Sequence, residues 1–448
     1  MLLDVPASLD GLLLLLRSCF TQPTFQTFRA LVVGQISQTG PRTVCGMLTG
    51  ARLAGVWHHA RAHRFFSHAR WSPDELGLRI SDVIVERLLE PGAPLVIVID
   101  DTLLHRFGRK VHACFYHHDA TANSGRAAVA WGNNWVVAAI SVKLAFLDRT
   151  VCLPVLFRLW QPRRKHLPAG TPDPERPSKV ALAREMLDLI AARYPARALH
   201  AVGDAAYASG ALDLGGPATI TSRLRSNAAL HAPKPPRTGK RGQPAKKGAR
   251  LGSLAQIATD PTTAWQQITA TRYGKTEQLN VVTLRCLWPG AFSYTPVTVV
   301  IIQDASRPAG YQLALISTDL KASAAELIER YADRWPIEVC FEEAKHQAGV
   351  GQARNRTPRA VERTVPFQFL AMTITILWYA ISGHHPADVA EHRARAPWYL
   401  TKTTPSFADM LAKLRRTIIA EQYLPTRPSN PTPQEITQVQ TAWAAAGL

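Results

Sequence analysis

The sequence predicts an α/β protein with a helical N-terminal region and a mostly β insertion, and three observations carry that reading. Residues 95–99 (LVIVI) are a continuous aliphatic and β-branched run, the pattern of a strand buried on both faces. Two further strand-like runs, 135–145 and 150–160, are joined by the short turn 146–149 and form an antiparallel hairpin. A helix-periodic segment, 178–192 (Val180, Leu182, Met186, Leu189, Ile190), then leads into a short strand, 198–202.

The remaining segments follow from composition. Residues 1 to about 75 read as helical and basic, with 57–70 (WHHARAHRFFSHAR) richest in Arg and His. The tract 231–250 has Pro, Gly, Lys and Arg but no apolar face, so a mobile basic loop is expected there. Runs 281–287, 297–303 and 312–316 are β-like. Ser323 and Glu326 then form a capping-box pattern that opens a helix through Arg334. Pro336 suits the first position of a continuing or kinked helix, where its missing N–H costs least. The expected division is 1–85 a helical N-terminal region, 86–212 the first part of an α/β core, 213–318 a β-rich insertion with a basic loop, 319–385 the second part of the core, and 386–448 a C-terminal helical region.

The chain has 448 residues, 46% of them hydrophobic and 19% charged, which excludes a wholly disordered or collagen-like protein. Lys plus Arg is 52 against 33 Asp plus Glu, a net charge of +19. Such a surplus repels itself in the folded state and marks a chain that works against a polyanion. Nucleic acid is the first expectation and an acidic membrane surface the second. The apolar run 12–16 is short and has Asp4 and Asp10 where an export signal carries basic residues. The stretch 367–381 is interrupted by Gln368, Thr373 and Thr375 and falls short of a bilayer span, so it reads as a buried helix. The six cysteines lie far apart without a CxxC pair, which argues against a disulfide framework or a thiolate zinc site and fits a reducing cytoplasm.

Three acids stand out. Asp100 closes the strand LVIVID, Asp204 closes the strand ending HAVGD, and Glu338 lies in the helical segment after the insertion. Ligands collect at the carboxyl ends of strands in α/β sheets, so acids there can converge across long sequence separations. Two strand-end aspartates and a helical glutamate are hard oxygen donors suited to Mg²⁺ or Mn²⁺, and a pair of such ions serves phosphoryl transfer. Taken singly, each aspartate fits a turn or helix cap better.

The helix breaks that tie. Tyr331, Arg334, Glu338 and Lys345 stand at offsets of three, four and seven, helical-face spacings that let all four point the same way unless Pro336 rotates the second half strongly. This resembles the Tyr-x2-Arg-x3-Glu-x6-Lys signature of bacterial insertion-sequence transposases with a DDE catalytic core. The segments IDDT (99–102), GDAAY (203–207), TSRLRSNAAL (221–230) and RNRTPRAVERT (354–364) belong to the same resemblance, which covers roughly 85–380. It implies an RNase H-like core, a mixed five-stranded sheet flanked by helices. It also implies that Asp100, Asp204 and Glu338 hold two Mg²⁺ or Mn²⁺ ions, while Tyr331, Arg334 and Lys345 grip phosphates. The activity implied is cleavage of double-stranded DNA at the element's ends and joining to target DNA, by a homodimer when synapsed, in the cytoplasm and without a membrane. Asp101 is adjacent to Asp100 and periodicity does not exclude it, although only one of two successive strand residues should face the metals.

Other candidates rank lower. His117, His118 and Asp119, with His112 and Cys114, imitate a zinc set but read better as loop residues near DNA. Residues 105–110 (HRFGRK) suit backbone phosphates, as does the tract 234–250. Trp131, Trp135, Trp265 and Trp288 read as core first and base platforms second. Two rivals remain: a nuclease that only hydrolyses, and a noncatalytic DNA-binding descendant.

Overall fold

The computed structural model describes residues 5–119, 128–164, 166–168, 171, 173–216, 218–236, 245–304 and 307–423. Ten strands form one sheet: β1 Leu95–His105, β2 Phe115–His118, β3 Val129–Lys143, β4 Thr150–Trp160, β5 Leu199–Gly203, β6 Ala218–Arg223, β7 Gln266–Arg272, β8 Lys275–Leu287, β9 Pro296–Asp304 and β10 Arg307–Ser317. Their spatial order is β2-β3-β1-β5-β6-β10-β9-β8-β7, with β4 also paired to β3. The inner order β4-β3-β1-β5-β6 is a mixed sheet of the expected kind. The β3–β4 hairpin is antiparallel to β1, whereas β5 and β6 run parallel to it. The strands of the insertion do not form a sheet of their own. β10 hydrogen-bonds to β6, so β10, β9, β8 and β7 prolong the same sheet.

β1 is longer than its aliphatic run. The parallel partner β5 ends at Gly203 opposite Ile99, but antiparallel pairing with β3 continues to His105 opposite Gly132. Asp100 and Asp101 therefore lie inside a strand, at the level where one of its two neighbours stops. Strands β2, β6 and β7 carry no long apolar run and were not expected.

Helices cover both faces. The N-terminal set comprises α1 Ala7–Leu14, α2 Gln22–Ser37, α3 Val44–Gly50, α4 His59–Ser67 and α5 Pro73–Leu88; then come α6 Lys179–Arg193, α7 Leu254–Thr259, α8 Pro289–Phe292, α9 Ala324–Ala332, α10 Pro336–His346, α11 Pro358–Trp378, α12 Asp388–Arg395 and α13 Phe407–Tyr423. The expected helix through Arg334 stops at Ala332. Pro336 opens a second helix, and the junction is spanned by bonds of i→i−3 type from the N–H groups of Arg334, Ile337 and Glu338.

α11 is the apolar helix foreseen at 367–381. By length and composition Pro358–Gly383 could cross a bilayer, yet its most apolar stretch is 89% buried inside the fold. The N-terminal helices share this core through aromatic contacts, with Phe66 edge-on to Phe367 at 5.3 Å and Phe65 stacked on Trp71 at 4.9 Å. Polar ties reinforce them: Gln35 donates to the Ala348 carbonyl at 2.6 Å and Arg415 to that of Ile36 at 2.7 Å. All six cysteines are free. The basic tract is pinned where it is described, since His231 and Leu287 exchange backbone hydrogen bonds and Ala232 bonds to Ala249. Its centre, 237–244, lies outside the described residues.

Candidate active site

The parallel register of β1 and β5 brings Asp100 and Asp204 to the same level of the sheet. Asp100 Oδ1 accepts the Asp101 N–H at 2.8 Å, and Oδ2 accepts from Arg334 Nη1 at 2.7 Å. Burial pushes the Asp100 carboxyl up to about 7; Arg334 opposes the rise, and the charges of Asp204 and Asp101 add to it. Asp204 caps the short turn Ala205–Tyr207, its Oδ1 accepting the Ala206 N–H at 2.8 Å. The capping role common for such an aspartate is thus present together with its place beside Asp100.

Glu338 sits in the first turn of α10. Its Oε1 accepts from Arg334 Nη2 at 2.6 Å, so one guanidinium, 12% exposed, bridges Asp100 and Glu338. Burial works against this charge, yet Asp100 and Glu338 more than offset it and hold the Arg334 pKa above the usual arginine value. Tyr331, at the end of α9, lies with its ring 5.8 Å from the Arg334 guanidinium and is mostly buried against Val202, Val300 and Leu327. Burial raises its phenol pKa, while Arg334 and Arg223 pull it down.

Lys345 lies two turns along α10 from Glu338, half-buried, where desolvation lowers its pKa and Asp119 raises it. The four residues of the spaced motif therefore span two helices and a junction, with Tyr331 at the end of α9, Arg334 in the junction, and Glu338 and Lys345 seven residues apart on α10.

Asp101 points to the opposite side of the sheet. Its carboxylate pairs with Lys179 Nζ of α6 at 2.5 Å and accepts from Asn134 Nδ2 at 3.1 Å and the Tyr207 hydroxyl at 3.2 Å. Asp100 alone of the two shares a face with Arg334 and Glu338. Sequence reading missed this second polar set, because nothing in the local pattern marks Lys179 or Tyr207 as partners of Asp101.

The imitation zinc set disperses. His117 and His118 lie on strand β2, not in a loop, and alternate so that His117 is buried and His118 exposed. His112 instead faces Glu362 at 3.5 Å. Trp135 is buried in the core, and Trp265 and Trp288 pack against it.

Hard carboxylate donors inside β1, just after β5 and on a neighbouring helix suit a divalent cation. As placed, no three His, Cys, Asp or Glu side chains among the described residues surround one point, because Arg334 stands between Asp100 and Glu338. The donor chemistry fits such an ion, and the Arg334 guanidinium stands between two of the donors.

A mixed β4-β3-β1-β5-β6 sheet with one carboxylate inside β1, where its parallel neighbour stops, and another just after β5 is the arrangement of an RNase H-like phosphoryl-transfer fold. A family model described as DDE superfamily endonuclease matches residues 15–281, and the chain belongs to that family. No curated protein matches the chain. Membership makes it a nuclease-type enzyme acting on DNA, in a superfamily that generally depends on divalent metal ions.

Proposed function

We propose that the chain is a bacterial insertion-sequence DNA transposase, which cleaves the ends of its element and joins them to target DNA. The observation that carries this reading is Arg334 bridging Asp100 and Glu338, with Asp204 beside Asp100, in a chain of DDE family membership. Asp100, Asp204 and Glu338 would hold two Mg²⁺ or Mn²⁺ ions. When bound, such ions supply Lewis-acid chemistry, lowering the pKa of water and offsetting charge on the leaving oxygen.

The chain's own residues do the rest. Rotation of Arg334 away from the two acids frees both carboxylates and brings the guanidinium to a DNA phosphate, the group it matches in geometry and charge. The Tyr331 hydroxyl, held beside Arg334 and Arg223, positions a neighbouring phosphate oxygen, and Lys345 grips the strand two turns further along α10. The rigid sheet fixes Asp100 against Asp204, so little reorganisation accompanies the reaction.

Residues 1–85 are proposed to recognise the element's ends. No acid occurs between Asp10 and Asp74, while His59, His63 and Arg64 are exposed on α4. Synapsis of two ends implies a homodimer on DNA, acting in the cytoplasm.

The test is a strand-transfer assay with precleaved ends and Mg²⁺. Joined products are expected; nicks without joining would leave a hydrolytic nuclease, and cleavage retained by Asp204→Ala or Glu338→Ala would overturn the assignment of roles.

A further inference from the structure

The loop between β1 and β2 carries a side chain that the fold does not use. Phe107 is 101% exposed, the largest value among the exposed large apolar residues described. Single exposed apolar side chains are common. This one differs in how firmly its base is held and in what surrounds it.

Arg106, immediately before it, is buried. Its Nε donates to Asn133 Oδ1 at 2.9 Å, and its Nη1 donates to the carbonyls of Gly351 at 2.9 Å and Ala353 at 2.7 Å. Asn133 Nδ2 in turn donates to the carbonyls of His112 at 3.0 Å and Ala113 at 2.9 Å. Trp131 Nε1 donates to the Gly108 carbonyl at 3.3 Å, and the His112 N–H to that of Arg356 at 2.9 Å. The loop is thus tied to β3 and to the segment after α10, and the ring stands on a fixed base.

The exposed charges around it are basic. Arg109 and Lys110 follow in the loop, and Arg354, Arg356 and Arg359 lie on the segment to which the loop is tied. The acids close by are engaged: Asp119 accepts from His105 at 2.9 Å, and Glu362 faces His112 at 3.5 Å. An exposed apolar ring with basic residues following it in the loop and on the segment that holds the loop has the chemistry of a side chain that enters a base stack while its neighbours hold phosphates.

We propose that Phe107 is a wedge that inserts into the stack of double-stranded DNA lying across the carboxylate site, with Arg109, Lys110 and the nearby arginines on the flanking phosphates. This rests on the reading of the chain as a DNA-processing enzyme. Phe107 follows Asp100 along and just beyond β1, on the order of 20 Å away at ~3.3 Å per residue. That is about six base steps. The wedge therefore distorts the duplex well away from the bond that is cut.

The test needs no knowledge of the element's ends. Full-length protein is bound to closed circular plasmid in EDTA, relaxed by a metal-independent topoisomerase, and the linking number is read on a gel. Wild type is expected to shift the linking number in proportion to bound protein. Phe107→Ala should lose the shift at equal occupancy, and Phe107→Trp should keep it. Arg109→Ala with Lys110→Ala should weaken binding and reduce the slope of log affinity against log salt by about one per lost contact, without abolishing the shift at saturation. An equal shift from Phe107→Ala, or none from saturating wild type that still cuts plasmid with Mg²⁺, overturns the wedge alone. Wild type that neither binds nor cuts plasmid overturns the DNA-processing reading as well.

Discussion

Asp100 and Asp101 are neighbours of one residue type in one strand, yet the two sides of the sheet treat them differently. On the α6 side, Asp101 has Lys179 as its own counter-ion and two further donors in Asn134 and Tyr207. On the α10 side, Asp100 shares a single guanidinium with Glu338 and has Asp204 beside it. The first arrangement is electrically closed. The second leaves Asp100 and Glu338 sharing one guanidinium with Asp204 beside them, and burial together with this crowding raises the Asp100 pKa; a divalent cation would relieve the crowding, as proton binding does in its absence. Pairing, more than residue type, separates the structural aspartate from the candidate catalytic one.

The largest effect expected from that contrast is at the open side. Asp204→Ala or Glu338→Ala should lower Mg²⁺-dependent cleavage by ~10³-fold or more, the loss expected when a transition-state charge stabiliser is removed. The thermal midpoint should change little; a fall in midpoint as steep as the fall in rate would erase the contrast.

Next comes the closed side. Asp101→Ala leaves Lys179 unpaired in a partly exposed site, and the cost should be about 2–3 kcal/mol in urea unfolding. Cleavage by the fraction that remains folded should persist, and its loss would place Asp101 among the catalytic groups.

A third acid checks whether burial alone makes a carboxyl functional. Glu343 of α10 is also pushed up to about 7 by burial, but it faces Phe407 and Arg149 rather than the acid cluster. The folded protein keeps this proton up to about pH 7, while the unfolded chain loses it near 4.5. The group's stabilising contribution is therefore complete below about 4.5 and is lost as pH rises to about 7. Glu343→Gln should remove that fall, gaining about 1–2 kcal/mol above neutrality, with cleavage unchanged.

The smallest effect is at the cap of α9, where Ser323 Oγ accepts the Glu326 N–H and Glu326 returns a bond to the Ser323 N–H. Ser323→Ala should cost ~1 kcal/mol of stability and leave the rate constant for cleavage at saturating DNA close to wild type.

Local patterns made much of this legible. The run LVIVI, the hairpin, the helix leading to Asp204 and the capping box at Ser323 each correspond to an observed element, because periodicity and cap chemistry act over a few residues. The spacing Tyr331, Arg334, Glu338, Lys345 allows one helical face unless Pro336 turns the second half. Pro336 opens a second helix, and only the tertiary structure shows that Arg334 still reaches Glu338 across the junction. The edge strand β2, with its histidines, and the strand β6 were not readable, since neither carries an apolar run long enough to separate strand from loop.

By itself the sequence determined the strands with long apolar runs, the periodic helices and the acids that lie on or just after those strands, because hydrophobic patterning and capping are local. Only the tertiary structure decided which of Asp100 and Asp101 faces Arg334 and Glu338, that Arg334 bridges two of the acids, and that the insertion prolongs the central sheet. Those outcomes depend on strand register and on hydrogen bonds between residues more than two hundred positions apart, such as Arg334 to Asp100. No local pattern records which strand a segment pairs with or where that partner ends.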